Sequence, residues 1–144
     1  MYGEKYGPTL PTFGNKCIAN HGGKLDLHGV ERTTWVELKE TVEKDSNEIT
    51  LNSAVDWVEG DEIVLVPTDY VFNEDEKFVI DTITSGSNPV ITFKDDAKTR
   101  YRHFSEVETF DGDTMPMRGE VGLLTRNIKI RGAYEDSVQL EYGA

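Results

Sequence analysis

The 144 residues are enough for one domain, and a chain of this size buries roughly two thirds of the surface its unfolded form exposes, so a core needs neither disulfide nor metal. A net charge of −12, from acidic residues that are scattered and not blocked, leaves no basic footprint for nucleic acid. The same charge repels anionic membranes and polyanionic chains at long range unless a local basic cleft offsets it.

Residues 1–16 are rich in Gly, Pro, Tyr and Lys and read as an irregular lead-in without an apolar leader. Cys17, the single cysteine, lies in the short apolar run "KCIAN" and reads as a buried inert thiol. In "KLDLHG", Leu25 and Leu27 alternate with Lys24, Asp26 and His28, the pattern of a half-buried strand closed by Gly29. "TTWVELKETVEK" fits both a helical stripe and a strand; Thr33, Thr34, Trp35 and Val36 favour the strand. "NEITL" is a strand with Ile49 and Leu51 on one side. In "VDWVEGDEIVLVP", Gly60 permits a sharp turn, the Asp61 carboxylate can cap backbone N–H groups within it, and Trp57 can pack over it. The apolar run that follows suggests a strand covered on both faces and ended by Pro67. "KFVIDTI" and "PVITF" read as a pair joined by the turn "TSGSN". Residues 94–118 read as polar and irregular, with "DGD" a turn. "GEVGLLTRNIKIRG" supplies two strands split by Thr125, Arg126 and Asn127, and "SVQLEYG" begins one more. Many short strands and hardly any helix indicate an all-β sandwich, barrel or solenoid. No run approaches the roughly 18 apolar residues of a membrane span.

Three blocks carry a resemblance. "GGKLDLHGVERTTW", "VDWVEGDEIVLVPTDYVFNEDEKFVI" and "GEVGLLTRNIKIRG" occur in that order and resemble the stretch in which a G-eight domain passes into a right-handed parallel β-helix. Fibrocystin, fibrocystin-like proteins and the cell-surface and cell migration-inducing hyaluronidases are built this way. Gly119 departs from the pattern, which usually has Ala there. The resemblance implies a β-solenoid with little or no helix. Residues 1–52 would be the C-terminal part of a G-eight-like β region and 53–144 the first β-helix rungs, in one continuous structural unit. It implies an extracellular or cell-surface module, a segment of a longer chain whose remaining rungs are its neighbours. Its expected role is structural or carbohydrate-associated and non-catalytic by itself, with a carbohydrate or an extracellular protein as partner. The alternative is a fragment of a hyaluronidase-like, polysaccharide-degrading enzyme, which requires a basic groove to offset the chain's negative charge.

Chemistry is harder to nominate. No phosphate loop, nucleophile elbow or zinc spacing occurs, and no cofactor is implied. Asp69, Asn73, Asp75 and Glu76 are oxygen donors, but their spacing is not that of a calcium loop. Glycoside hydrolysis needs two carboxylates at set separations, and 27 acidic residues satisfy that by chance. The catalytic candidates are the residues within or beside the motif blocks, His28, Asp61, Asp69 and His103, each of which also fits a plain turn or hydrogen-bonding role.

Overall fold

The computed structural model of the protein describes residues 18–130. Cys17, the lead-in before it and the strand expected in "SVQLEYG" lie outside the described residues. The chain divides into two compact units, Glu31–Thr125 and a smaller one made of Met1–Val30 with Arg126–Ala144.

All named strands fall in the larger unit. They are β1 (Trp35–Glu37), β2 (Glu48–Thr50), β3 (Glu62–Leu65), β4 (Glu76–Ile83), β5 (Val90–Phe93), β6 (Ser105–Phe110), β7 (Asp113–Arg118) and β8 (Glu120–Leu123). A single short 3-10 turn, Lys94–Asp96, is the helical content among the described residues. Six strands form one sheet in the order β1-β8-β3-β4-β5-β2, and β6 pairs only with β7. The protein is thus all-β, as expected. Every strand pairing among the described residues is antiparallel, whereas the stacked rungs of a parallel β-helix pair in parallel.

Two-residue periodicity explains the sheet. Ile63 and Leu65 of β3, Phe78 and Ile80 of β4, Ile91 and Phe93 of β5, and Val121 and Leu123 of β8 all turn into one core. The alternate positions Glu62, Lys77 and Val79 face solvent. Burying each such aliphatic or aromatic side chain contributes about 1.5–3 kcal/mol. The rings of Phe78 and Phe93 stack with centroids 3.9 Å apart. In β4 the register moves from Ile80↔Phe93 to Thr82↔Thr92, so Asp81 is an extra, bulged residue. The strand bends there, pairing with β3 before the bulge and with β5 through it and beyond. The resulting curl brings the outermost strands of the sheet together. Leu38 bridges Leu51, with Lys39 N–H donating to Thr50 O at 2.9 Å and Asn52 N–H to Glu37 O at 2.8 Å. One bridge at the strand ends does not close a barrel. The pairings β1–β8 and β2–β5 join segments on either side of residues 52 and 53 into one sheet.

Four local expectations are corrected. "KLDLHG" forms no strand, and Leu25 and Leu27 are 52% and 56% exposed; alternation marks a strand only where a neighbour and a core receive it. Residues 128–130 form no strand either. Residues 94–118 are not irregular throughout, since β6 and β7 make a regular hairpin there. In β3 only one face is fully buried, and Val64 is half-buried.

Candidate functional site

The turn before β3 is held by an ion-pair knot. Gly60 takes φ +85°, which L side chains rarely adopt. Arg32 forks across Asp61, with Nη1 donating to Oδ1 at 3.2 Å and Nη2 to Oδ2 at 2.7 Å. Asp61 Oδ2 also accepts the Val58 N–H at 2.9 Å, so it caps the turn from within. Asp56 accepts the Thr33 N–H at 2.9 Å, and the Trp57 indole N–H donates to Thr33 O at 2.8 Å. Burial pushes the Asp61 carboxyl up, but the hydrogen bonds from Arg32 and Val58, the Arg32 charge and Thr125 together hold it below the usual carboxylate range. The Thr33 N–H holds Asp56 low as well, against a smaller opposing effect of desolvation. The Arg32 guanidinium is raised, chiefly by its bonds to Asp61.

A second buried pair lies under the segment 98–104. Here side chains alternate: Thr99 and His103 are buried and Tyr101 half-buried, while Lys98, Arg100 and Arg102 face out. His103, 1% exposed, presents Nδ1 to Val66 O at 3.0 Å and Nε2 to Glu76 Oε2 at 3.1 Å. Val66 O can only accept, so Nδ1 is the donor to it, and Nε2 faces the Glu76 carboxylate. Glu76 also accepts the Arg100 N–H at 2.9 Å on Oε1 and the Tyr101 N–H at 3.2 Å on Oε2. Both of its oxygens are therefore engaged in holding the segment against β4. Thr99 Oγ1 donates to Glu43 O at 2.8 Å, and Val42 and His103 exchange backbone hydrogen bonds, which secures the other side.

This segment and the start of β4 border an open groove of about 620 Å³. Lys77, Lys98 and Arg100 line it together with the acids Asp75 and Glu76; Tyr101 is its half-exposed aromatic ring, and Phe78 is buried in the core behind it. Cations outnumber acids there on a strongly acidic chain, and the Tyr101 ring adds an apolar face.

The candidate residues occupy different settings. Asp61 is in the ion-pair knot and His103 is beneath the groove. Asp69 is exposed, and its Oδ1 accepts the N–H of Tyr70 at 2.6 Å. His28 is exposed and belongs to the smaller unit. Among the described residues no group of three or more His, Cys, Asp or Glu is arranged to hold a metal ion. No helix of the described residues is long and apolar enough to cross a membrane. Reading the sequence considered Glu76 only as an oxygen donor, and missed its pairing with His103 and the groove cations. The signal was present in "KTRYRH", where three cations alternate with Thr, Tyr and His.

No family model matches the chain. It is 37% identical to human fibrocystin-L over 135 residues, covering 92% of this chain and 3% of that protein. It is 36% identical to human cell surface hyaluronidase CEMIP2 over 91 residues, covering 63% of this chain and 6% of the relative. The mouse cell migration-inducing and hyaluronan-binding protein is 37% identical over 106 residues, covering 70% of this chain and 7% of the relative. The chain thus spans a small fraction of the length of these relatives.

Proposed function

The chain is a relative of the G-eight domain-containing proteins, the group that includes the fibrocystins and the CEMIP hyaluronidases, and from that relationship we propose that it forms a cell-surface module that binds an acidic polysaccharide without cleaving it. The observation that carries this reading is the groove, where Lys77, Lys98 and Arg100 outnumber Asp75 and Glu76 beside the Tyr101 ring on a chain of net charge −12. Cations neutralise carboxylates along a glycan, and aromatic faces pack against the C–H faces of its rings. Two relatives are named for hyaluronan binding or hydrolysis, and hyaluronan is the first ligand to test. Both Glu76 oxygens and both Asp61 oxygens are engaged in structural hydrogen bonds, which favours binding over hydrolysis. We place any solenoid rungs outside Glu31–Thr125, with this antiparallel unit as their scaffold.

The test is calorimetric titration of the full chain with hyaluronan oligosaccharides. Binding is expected to weaken with added salt. It should weaken about tenfold or more in the charge-reversal variant Lys98→Glu with Arg100→Glu, whose side chains face solvent. Absence of binding, or binding indifferent to the reversal, would sink the reading. Shortening of hyaluronan during incubation, lost on replacing His28, Asp61, Asp69 or His103, would turn it towards the enzyme.

A further inference from the structure

The β6–β7 hairpin stands out from the core as an arm. None of its side chains from Glu106 to Met117 is buried. Its root is fixed by Ser105 Oγ donating to Leu38 O at 2.8 Å and by Arg118 Nη1 donating to the same oxygen at 3.1 Å. Asp111 and Gly112, at φ 50° and 89°, make the tight turn at its tip. The edges are guarded against strand addition, because Pro116 lacks an N–H and Glu106 and Glu108 bring charge. A face remains for contact. The register sets Glu106 opposite Met117, Glu108 opposite Met115 and Asp113 opposite Phe110 on one side of the hairpin. Met115, Met117 and Phe110 are 56%, 46% and 61% exposed, so on this side each exposed apolar side chain faces an acid across the strand pair, while Val107 on the other side faces Pro116. Between residues 105 and 117 the arm has four acidic residues and no Lys or Arg. A depression of about 330 Å³ at its root is bordered by Pro67, Phe104, Pro116 and Met117.

We propose that this face of the arm docks a protein partner through a segment in which apolar side chains alternate with lysines or arginines, one apolar side chain seating in the root depression, where Arg118 is already engaged by Leu38 O and Glu37. Methionines adapt to such a partner because their unbranched chains repack. The arm's acids match the partner's bases, while the same charge opposes both a second copy of this −12 chain and an acidic polysaccharide. The site is separate from the groove, so the two readings stand or fall apart.

The experiment measures fluorescence polarisation of short labelled peptides against the full chain. One alternates lysine with leucine, one lysine with serine and one glutamate with leucine. The Lys/Leu peptide should bind about tenfold more tightly than the Lys/Ser peptide, and the Glu/Leu peptide not at all. Met115→Ser with Met117→Ser should remove that advantage at unchanged net charge, as should Phe110→Ser alone. All three residues are exposed, and circular dichroism should show the fold intact. Lys98→Glu with Arg100→Glu should leave the advantage in place. Equal binding of the Lys/Leu and Lys/Ser peptides, or an advantage that survives the methionine replacements, overturns the proposal. So does self-association or hyaluronan binding that the methionine replacements abolish, since each assigns the face to another occupant.

Discussion

Asp61 is 4% exposed, with the Arg32 guanidinium across both oxygens and the Val58 N–H on one of them. Replacing it by Asn leaves Arg32 half-buried beside a neutral amide and should cost about 3 kcal/mol at neutral pH. The Asp61 carboxyl is lowered on folding, and Asp56 is lowered with it. Their stabilisation is therefore complete above the unfolded value of about 3.9 and is lost as pH falls through the lower folded values. Urea midpoints measured from neutral pH into strong acid should fall below about pH 4 in the wild type. Asp61→Asn should flatten part of that decline, and a parallel decline in the two proteins would show that another group causes it. This much was legible from the residues themselves, since a Gly-Asp pair before an apolar run signals a capped turn. The ion partner was not, because Arg32 lies in a distant segment that only folding brings to the turn.

At the scale of elements, the buried face of β4 carries two jobs. Phe78 and Ile80 fill the core, and Glu76, buried on the same face at the start of the strand, holds the segment 98–104. Glu76→Ala would strand the Arg100 and Tyr101 N–H groups and the His103 Nε2, costing about 3 kcal/mol. Amide hydrogen exchange at Arg100 and Tyr101 should accelerate more than at Ile63 or Leu65 in the sheet. Uniform acceleration would mean that the contact supports the whole fold and not the groove wall. Strands β3, β4, β5 and β8 could be read from alternating or continuous Val, Ile, Leu and Phe, because their neighbours bury one face. The β6–β7 hairpin could not, because its exposed faces mix Glu, Thr and Met and contain Pro116. "KLDLHG" misled for the converse reason: its alternation is clear, yet the leucines remain exposed. His103 was visible as a candidate, but its partner Glu76 was seen only as one of several acids in a loop.

Across the whole larger unit, the curled sheet depends on contacts between segments far apart in the chain. Leu38 is fully buried where the outermost strands meet, near the Gly119 N–H that bonds Phe104 O and the Gly119 carbonyl that accepts the Leu38 N–H. Leu38→Ala removes core volume at that junction and should cost about 3 kcal/mol, read as a lower midpoint in a still cooperative thermal melt. Retained stability would mean that the bridge is peripheral. The family relationship and the all-β class were readable because motif blocks and short apolar runs survive in one dimension. The antiparallel order β1-β8-β3-β4-β5-β2 was not, because it is set by pairings that no local pattern reveals.

Trp35 of β1 lies opposite Gly122 of β8, and the Leu123 N–H donates to Thr34 O at 2.8 Å. The polypeptide therefore comes into the Glu31–Thr125 unit and leaves it at neighbouring points. A body whose two ends meet can be spliced into a longer chain as a self-contained cassette, and flanking segments can remain close to each other without being pushed apart by its width.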